Sequence, residues 1–78
     1  MRILFFAHLK AVTRCVEMEL DCGDVDANGL WEKLIENYPG LARFRASVRL
    51  ARNSEYVGGD ARFGRADEVA LIPPVSGG

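Results

Sequence analysis

Apolar and polar positions along the chain change period several times, and each change marks an element. From Ile3 to Leu9 the residues are apolar on both faces, with Ile3, Phe5, Ala7 and Leu9 on one side and Leu4 and Phe6 on the other. That pattern predicts a central strand covered on both sides. In CVEMELD the alternation is strict: Val16, Met18 and Leu20 are expected inside, and Glu17, Glu19 and Asp21 outside, as in a half-buried partner of the first strand. The period then lengthens. Asp26 is placed to cap a helix whose buried stripe is Trp31, Leu34, Ile35 and Tyr38, and Pro39 with Gly40 end it. Leu41 to Ala46 reads as a connection. SVRLAR reads as a third strand with Val48 and Leu50 on one face, EYV as a short fourth strand, and Gly58, Gly59 and Asp60 as a turn. Glu68 to Ile72 is again apolar on both faces and stops at Pro73, which has no N–H for a ladder. The expected fold class is α+β, a mixed sheet of about five strands crossed by one main helix, with its first and last strands side by side.

Composition narrows what such a domain can do. A chain of 78 residues makes one domain, of a size that buries about 60% of its unfolded surface. Its hydrophobic fraction of 49% and charged fraction of 27% fit a packed core and not a disordered segment. A net charge of -1 and a pI near 5.7 exclude a general nucleic-acid binder, whose footprint would be strongly basic. The opening RILFFAHLKAV is broken by His8 and Lys10 and has no small-residue cleavage site, so it reads as a strand, with no membrane span and a cytoplasmic location expected.

Cys15 and Cys22 flank the second strand and stand on the order of 23 Å apart if it is extended, beyond disulfide reach. With His8 the single histidine, they make no four-ligand zinc set. No P-loop, GxSxG or metal cluster is present, so the chain carries no machinery for catalysis by itself. Six arginines, Arg43, Arg45, Arg49, Arg52, Arg62 and Arg65, follow the helix, whereas Glu17, Glu19, Asp21, Asp24, Asp26, Glu32 and Glu36 precede or occupy it. This segregation suits either solvated surface or electrostatic docking.

The ending LIPPVSGG is the sharpest signal. A buried last strand is followed by two prolines that favour extended backbone, then Val75 and Ser76, then Gly77 and Gly78 with no side chains. Extended, Pro73 to Gly78 reach about 20 Å, enough to carry the terminal carboxylate into another protein's buried site. Glycine passes a narrow channel and leaves the last carbonyl open to attack. A free carboxylate is a poor electrophile, so such an end becomes useful once another enzyme activates it. The internal Gly58-Gly59 pair has no carboxylate and is a turn.

Along nearly its whole length the sequence resembles the MoaD-type sulfur carriers, small subunits of molybdopterin synthase in the ubiquitin-like ThiS/MoaD family. The matching stretches are ILFFAHLKAVTR, LWEKLIENYPGL, NSEYV and DEVALIPPVSGG. The resemblance implies a ubiquitin-like β-grasp domain over residues 1–72 and an extended tail over 73–78. It implies that an E1-like enzyme uses ATP to adenylate Gly78, that a sulfur donor converts it to a thiocarboxylate, and that Gly77 is its slender neighbour. It further implies sulfur transfer to cyclic pyranopterin monophosphate within a heterotetramer with the large synthase subunit. On this reading the chain binds no cofactor or metal and has no activity alone. The family often has Gly-Asp ahead of the last strand, where this chain has Ala66 and Asp67, so that turn is expected to be built differently.

Strand parity adds a docking surface. If Ile3, Phe5, Val69 and Leu71 lie beneath the helix, then Leu4, Phe6, Ala70 and Ile72 lie on the opposite face, which a fold of this size has no second layer to cover. Phe6, Ile72, Tyr56 and Lys10 are therefore expected to meet the large subunit and the activating enzyme, continued by Pro73, Pro74, Val75 and Ser76 of the tail. Two alternatives remain: a ubiquitin-like modifier joined to lysines through Gly78, and a sulfur carrier for another pathway such as thiazole synthesis.

Overall fold

Strand β1 spans Arg2–Phe5, and its alternate residues Ile3 and Phe5 are sealed in the core while Leu4 is half-buried. These features belong to a computed structural model of the chain, which describes residues 1–74. Val75, Ser76, Gly77 and Gly78 lie outside the described residues.

The strand is shorter than the apolar run. Ala7 adopts a left-handed φ of 52°, the chain turns, and a short helix α1 runs over Leu9–Thr13. Leu9 is fully buried, but it enters the core from this helix, and Ala7 is exposed. The reason lies in a double periodicity: Leu9, Val12 and Thr13 also fit the i, i+3, i+4 spacing of a helical face. The Thr13 hydroxyl donates to the Leu9 carbonyl at 3.1 Å, and Arg14 closes the helix at φ 60°.

Strand β2, Glu17–Glu19, returns antiparallel to β1 with Ile3 opposite Met18. Leu20 is buried as expected, Met18 is partly so, and Val16 is 62% exposed. Val16 precedes the strand, two residues after the left-handed Arg14, so the strand's alternation does not govern it. Its carbonyl nevertheless accepts from the Phe5 N–H at 2.9 Å. Both cysteines are free and half-buried.

A two-residue strand β3, Val25–Asp26, leads into the main helix α2, Ala27–Asn37. The Asp26 carboxylate accepts from the Gly29 N–H at 2.8 Å and so caps the helix. Its buried stripe is Ala27, Leu30, Trp31 and Leu34, rotated from the expected one: Ile35 and Tyr38 are only half-buried. Pro39 ends the helix but starts a 3₁₀ helix, Pro39–Phe44, where a plain connection was expected. Leu41 from this segment is fully buried.

Strands β4, Arg49–Arg52, and β5, Glu55–Tyr56, form a hairpin. Its two linking residues, Asn53 and Ser54, have φ of 51° and 73°, the positive values demanded by the turn whose twist matches a hairpin. Strand β6, Arg62–Phe63, pairs with β3 in a separate two-stranded sheet, and its Phe63 is among the most buried side chains. Neither β3 nor β6 is long enough to show a period in the sequence.

The last strand, β7, covers Glu68–Ile72, the expected span. The main sheet has the order β2-β1-β7-β4-β5. Strands β1 and β7 run parallel at its centre, with Ile3 opposite Val69 and Phe5 opposite Leu71, and β4 pairs antiparallel on the other flank of β7. One face of this sheet packs Ile3, Phe5, Leu50, Val69 and Leu71 together with Leu30, Trp31 and Leu34 of α2. The five-stranded mixed sheet with one main helix is therefore the architecture expected, supplemented by α1, the 3₁₀ helix and the small second sheet.

A candidate partner-docking face at the root of the tail

Side chains on the face of the sheet away from α2 follow from register. Leu4 lies opposite Ala70, and Ala70 opposite Ala51. Ala51 in turn lies opposite Tyr56, and Arg49 opposite Ile72. A groove of about 270 Å³ opens over this row, lined by Leu4, Phe6, Ala51, Ser54, Tyr56, Glu68, Ala70 and Ile72. Phe6 is 45% and Tyr56 57% exposed, so these rings are surface and not core. Exposed apolar surface of this kind, bordered by Glu68, favours a protein partner.

The groove ends where β7 ends. Ile72 lies in its lining, Pro73 is buried, and Pro74 is exposed, so the chain leaves the body beside the apolar row. Phe6, Tyr56 and Ile72 are thus brought together. Lys10 is exposed on α1 and does not line the groove. The remaining tail positions, Val75, Ser76, Gly77 and Gly78, lie outside the described residues. Sequence reasoning missed Ala51, Ser54 and Glu68; Ala51 could have been found by continuing the parity argument from Ala70 into the third strand.

A network of short polar contacts holds the start of β7 in register. The Asp67 carboxylate accepts from the Gly64 N–H at 2.7 Å and from the Asn53 amide at 3.0 Å. Those two bonds, the Gly64 one first, hold its pKa below the ordinary value. The Asn53 side-chain oxygen accepts from the Glu68 N–H at 3.0 Å, and the Asn53 N–H donates to the Glu68 carbonyl at 2.8 Å. This is how the turn with Ala66 in place of glycine is built: Asn53 ties the β4–β5 hairpin to the first residue of β7.

Other candidates are accounted for by packing. The His8 ring lies 5.1 Å from that of Phe44. Arg45 donates to the Asn28 side chain at 2.9 Å, and Arg52 to the Arg62 carbonyl. The Cys15 sulfur sits 3.7 Å from the Tyr38 hydroxyl, and that contact, with burial, raises the Tyr38 pKa. Gly58 and Gly59 form a turn, closed by the Ala61 N–H on the Gly58 carbonyl at 3.2 Å. They also edge a hollow of about 330 Å³ between α2 and β4, which lies on the helix side of the sheet, apart from the groove at the tail root. Among the described residues no three His, Cys, Asp or Glu side chains gather as metal ligands, and no helix is long and apolar enough to cross a membrane.

The fold and the face define a ubiquitin-like β-grasp domain whose central last strand delivers the C-terminal segment at an exposed apolar surface. The chain belongs to the ThiS family, whose model matches residues 3–78. It is 34% identical over 79 residues to the molybdopterin synthase sulfur carrier subunit of Arabidopsis thaliana, covering 99% of this chain and 81% of that one. Its structure is similar to SAMP1 from Haloferax volcanii, with a TM-score of 0.85 and 29% identity over 100% of this chain and 98% of the other. It also shares its fold with a chain in the complex of subunits 1 and 2 of molybdopterin-converting factor from Helicobacter pylori, at 19% identity and a TM-score of 0.69, covering 99% and 96%.

Proposed function

We propose that the chain is a sulfur carrier of molybdopterin synthase, bearing the sulfur on Gly78. One observation carries the reading: β7, a central strand of the sheet, ends at Ile72 within an exposed apolar groove and continues through Pro73 and Pro74 into the Gly-Gly ending. The groove gives a partner a surface to hold while the tail is inserted. The 34% identity to a sulfur carrier subunit supports the same assignment.

The chemistry follows from the terminal carboxylate. In an E1-like enzyme it attacks the α-phosphate of ATP, forming an acyl-adenylate and releasing pyrophosphate. A sulfur donor at the sulfide level then attacks the acyl carbon as hydrosulfide, the bond to AMP breaks with its electron pair leaving on AMP, and loss of the S–H proton leaves a thiocarboxylate. The tail next enters the large synthase subunit, where its sulfur bonds to a carbon of cyclic pyranopterin monophosphate and water cleaves the acyl–sulfur bond, returning the Gly78 carboxylate; two such deliveries supply the dithiolene of the molybdenum cofactor. Glycines at 77 and 78 leave the acyl carbon unshielded at each step. On this reading the nucleotide belongs to the activating enzyme.

The likeness to SAMP1, a small archaeal modifier protein by the name of a further solved relative, favours a second reading in which the activated Gly78 is joined to lysines of other proteins. Incubation with the activating enzyme, ATP and a sulfur source, followed by intact-protein mass spectrometry, separates the two. Carrier function predicts one oxygen of the terminus replaced by sulfur. Isopeptide adducts without any thiocarboxylate would establish the modifier instead.

A further inference from the structure

The charge of the outer face changes sign along β7. At the strand's start Arg2 lies among carboxylates, 2.7 Å from Glu17 and 3.3 Å from Glu68. At the strand's end, Arg49 stands directly across from Ile72, and its guanidinium lies 4.3 Å from the centroid of the exposed Tyr56 ring. Arg2 spends its charge within the chain. Among the described residues the ion pairs are those of Arg2 and of the Met1 amino group, and Arg49 takes part in none.

Stacking restricts the guanidinium to one plane while leaving its N–H edge open to an acceptor, so less freedom is lost when a carboxylate binds it in the two-bond geometry arginine favours. Position adds selectivity. A protein that covers Leu4, Phe6, Tyr56 and Ile72 also takes water away from Arg49, and a desolvated cation without a counter-charge is strongly unfavourable. The apolar row alone would accept any apolar surface. The arginine at its end rejects those that bring no anion.

We propose that Arg49, held against Tyr56 at the root of the tail, is a partner-recognition residue that takes an Asp or Glu side chain of the large synthase subunit at the point where the tail enters it. The proposal rests on the sulfur-carrier reading above and names the chemistry of the partner at that same face. Charge complementarity selects the occupant: Arg49 sets a cation beside Ile72 and Tyr56 at the tail end of the groove, whereas at the far end Arg2 is already outnumbered by Glu17 and Glu68.

The test uses the full chain and its large subunit, with affinity measured by calorimetry at low and moderate salt. Arg49→Glu is expected to weaken binding about tenfold or more, and Arg49→Lys, which keeps the charge but loses the planar fork, about threefold. Arg49→Gln should bind with a shallower salt dependence than the parent. Arg65→Glu, an equal change of net charge at an exposed site outside the groove, should bind like the parent. Melting temperatures of all four should lie within a few degrees of it, because Arg49 and Arg65 are exposed and an exposed stack contributes little, and an acid-to-arginine change in the large subunit should restore affinity to Arg49→Glu. Binding of Arg49→Glu within twofold of the parent overturns the proposal while leaving the carrier reading intact. A salt-sensitive homodimer of the parent, abolished by Arg49→Glu, would make a second copy the occupant and also overturn it. A parent chain that binds no large subunit overturns both.

Discussion

Leu4 and Ala70 lie directly opposite one another on the two parallel central strands, and both face the groove, while their neighbours Ile3 and Val69 are wholly buried on the helix side. Because side chains alternate with a period of two, a slip of one residue would exchange those sets. Core and candidate docking face are therefore fixed by the same pairing, and on the proposed reading a residue's parity decides whether its loss harms the fold or the binding.

Phe5 and Phe6 make that contrast measurable. Phe5 is 2% exposed and meets Tyr38 edge-to-face at 5.9 Å, so Phe5→Ala should cost about 3 to 5 kcal/mol in denaturant unfolding. Phe6, just past the end of β1, should cost under about 0.5 kcal/mol on the same change but weaken binding to the large subunit. Equal destabilisation by both substitutions would contradict the placement of the Phe6 ring.

How far the sequence alone reaches is seen in particular segments. Glu68 to Ile72 could be delimited to the residue because the apolar run is bounded by charge on one side and Pro73 on the other. Asp26 was legible as a cap because a short polar acceptor before a periodic run has one local use. The run after Phe5 was not legible: Leu9, Val12 and Thr13 fit a helix as well as Leu9 fits a strand, and the choice rests on the left-handed turn at Ala7, which alanine does not announce. Strands β3 and β6 exist through their pairing with each other, a tertiary fact. The apolar row of the candidate docking face was legible through parity, which also sets Arg49 and Ala51 on the face away from Val48 and Leu50; that they stand beside Ile72 and Ala70 required the register of β4 against β7.

Asn53 is the residue whose replacement should show how the β7 register is held. It combines a left-handed backbone with two side-chain bonds to Asp67 and Glu68. Asn53→Ala removes both bonds and places a Cβ-bearing residue with no compensating local bond at positive φ, a combined loss of about 2 kcal/mol. Asn53→Gly, which relieves the backbone term, should lose less. Urea unfolding of the two variants checks the order, and a reversed order would show that the backbone conformation at this turn is not the controlling factor.

The tail should be separable from the fold. Gly77→Leu should leave the melting temperature within about 1 °C of the parent, since a terminal segment contributes little to stability, while sulfur transfer through the large subunit collapses. One residue added after Gly78 should have the same effect by moving the acyl carbon. Full transfer by the extended chain would show that the carbonyl is not read at a fixed depth.

Asp67 supplies a pH dependence with a definite sign. The Gly64 N–H and the Asn53 amide favour the carboxylate in the folded chain and hold its pKa below the ordinary value, whereas the unfolded chain titrates near about 3.9. A carboxyl group with a depressed folded pKa contributes stability that is fully present above the unfolded pKa and lost as pH falls through the folded one. The Asp67→Ala variant lacks this contribution at every pH. The stability gap between parent and variant should therefore be constant from neutral pH down to about pH 5, then narrow below about pH 4 as the parent's carboxylate is protonated. Unfolding free energies across that range, measured at two salt concentrations, check it. The gap should persist at the higher salt because short hydrogen bonds, and not long-range attraction, cause the shift. A gap that widened on acidification would mean that the protonated carboxyl is the form the turn prefers.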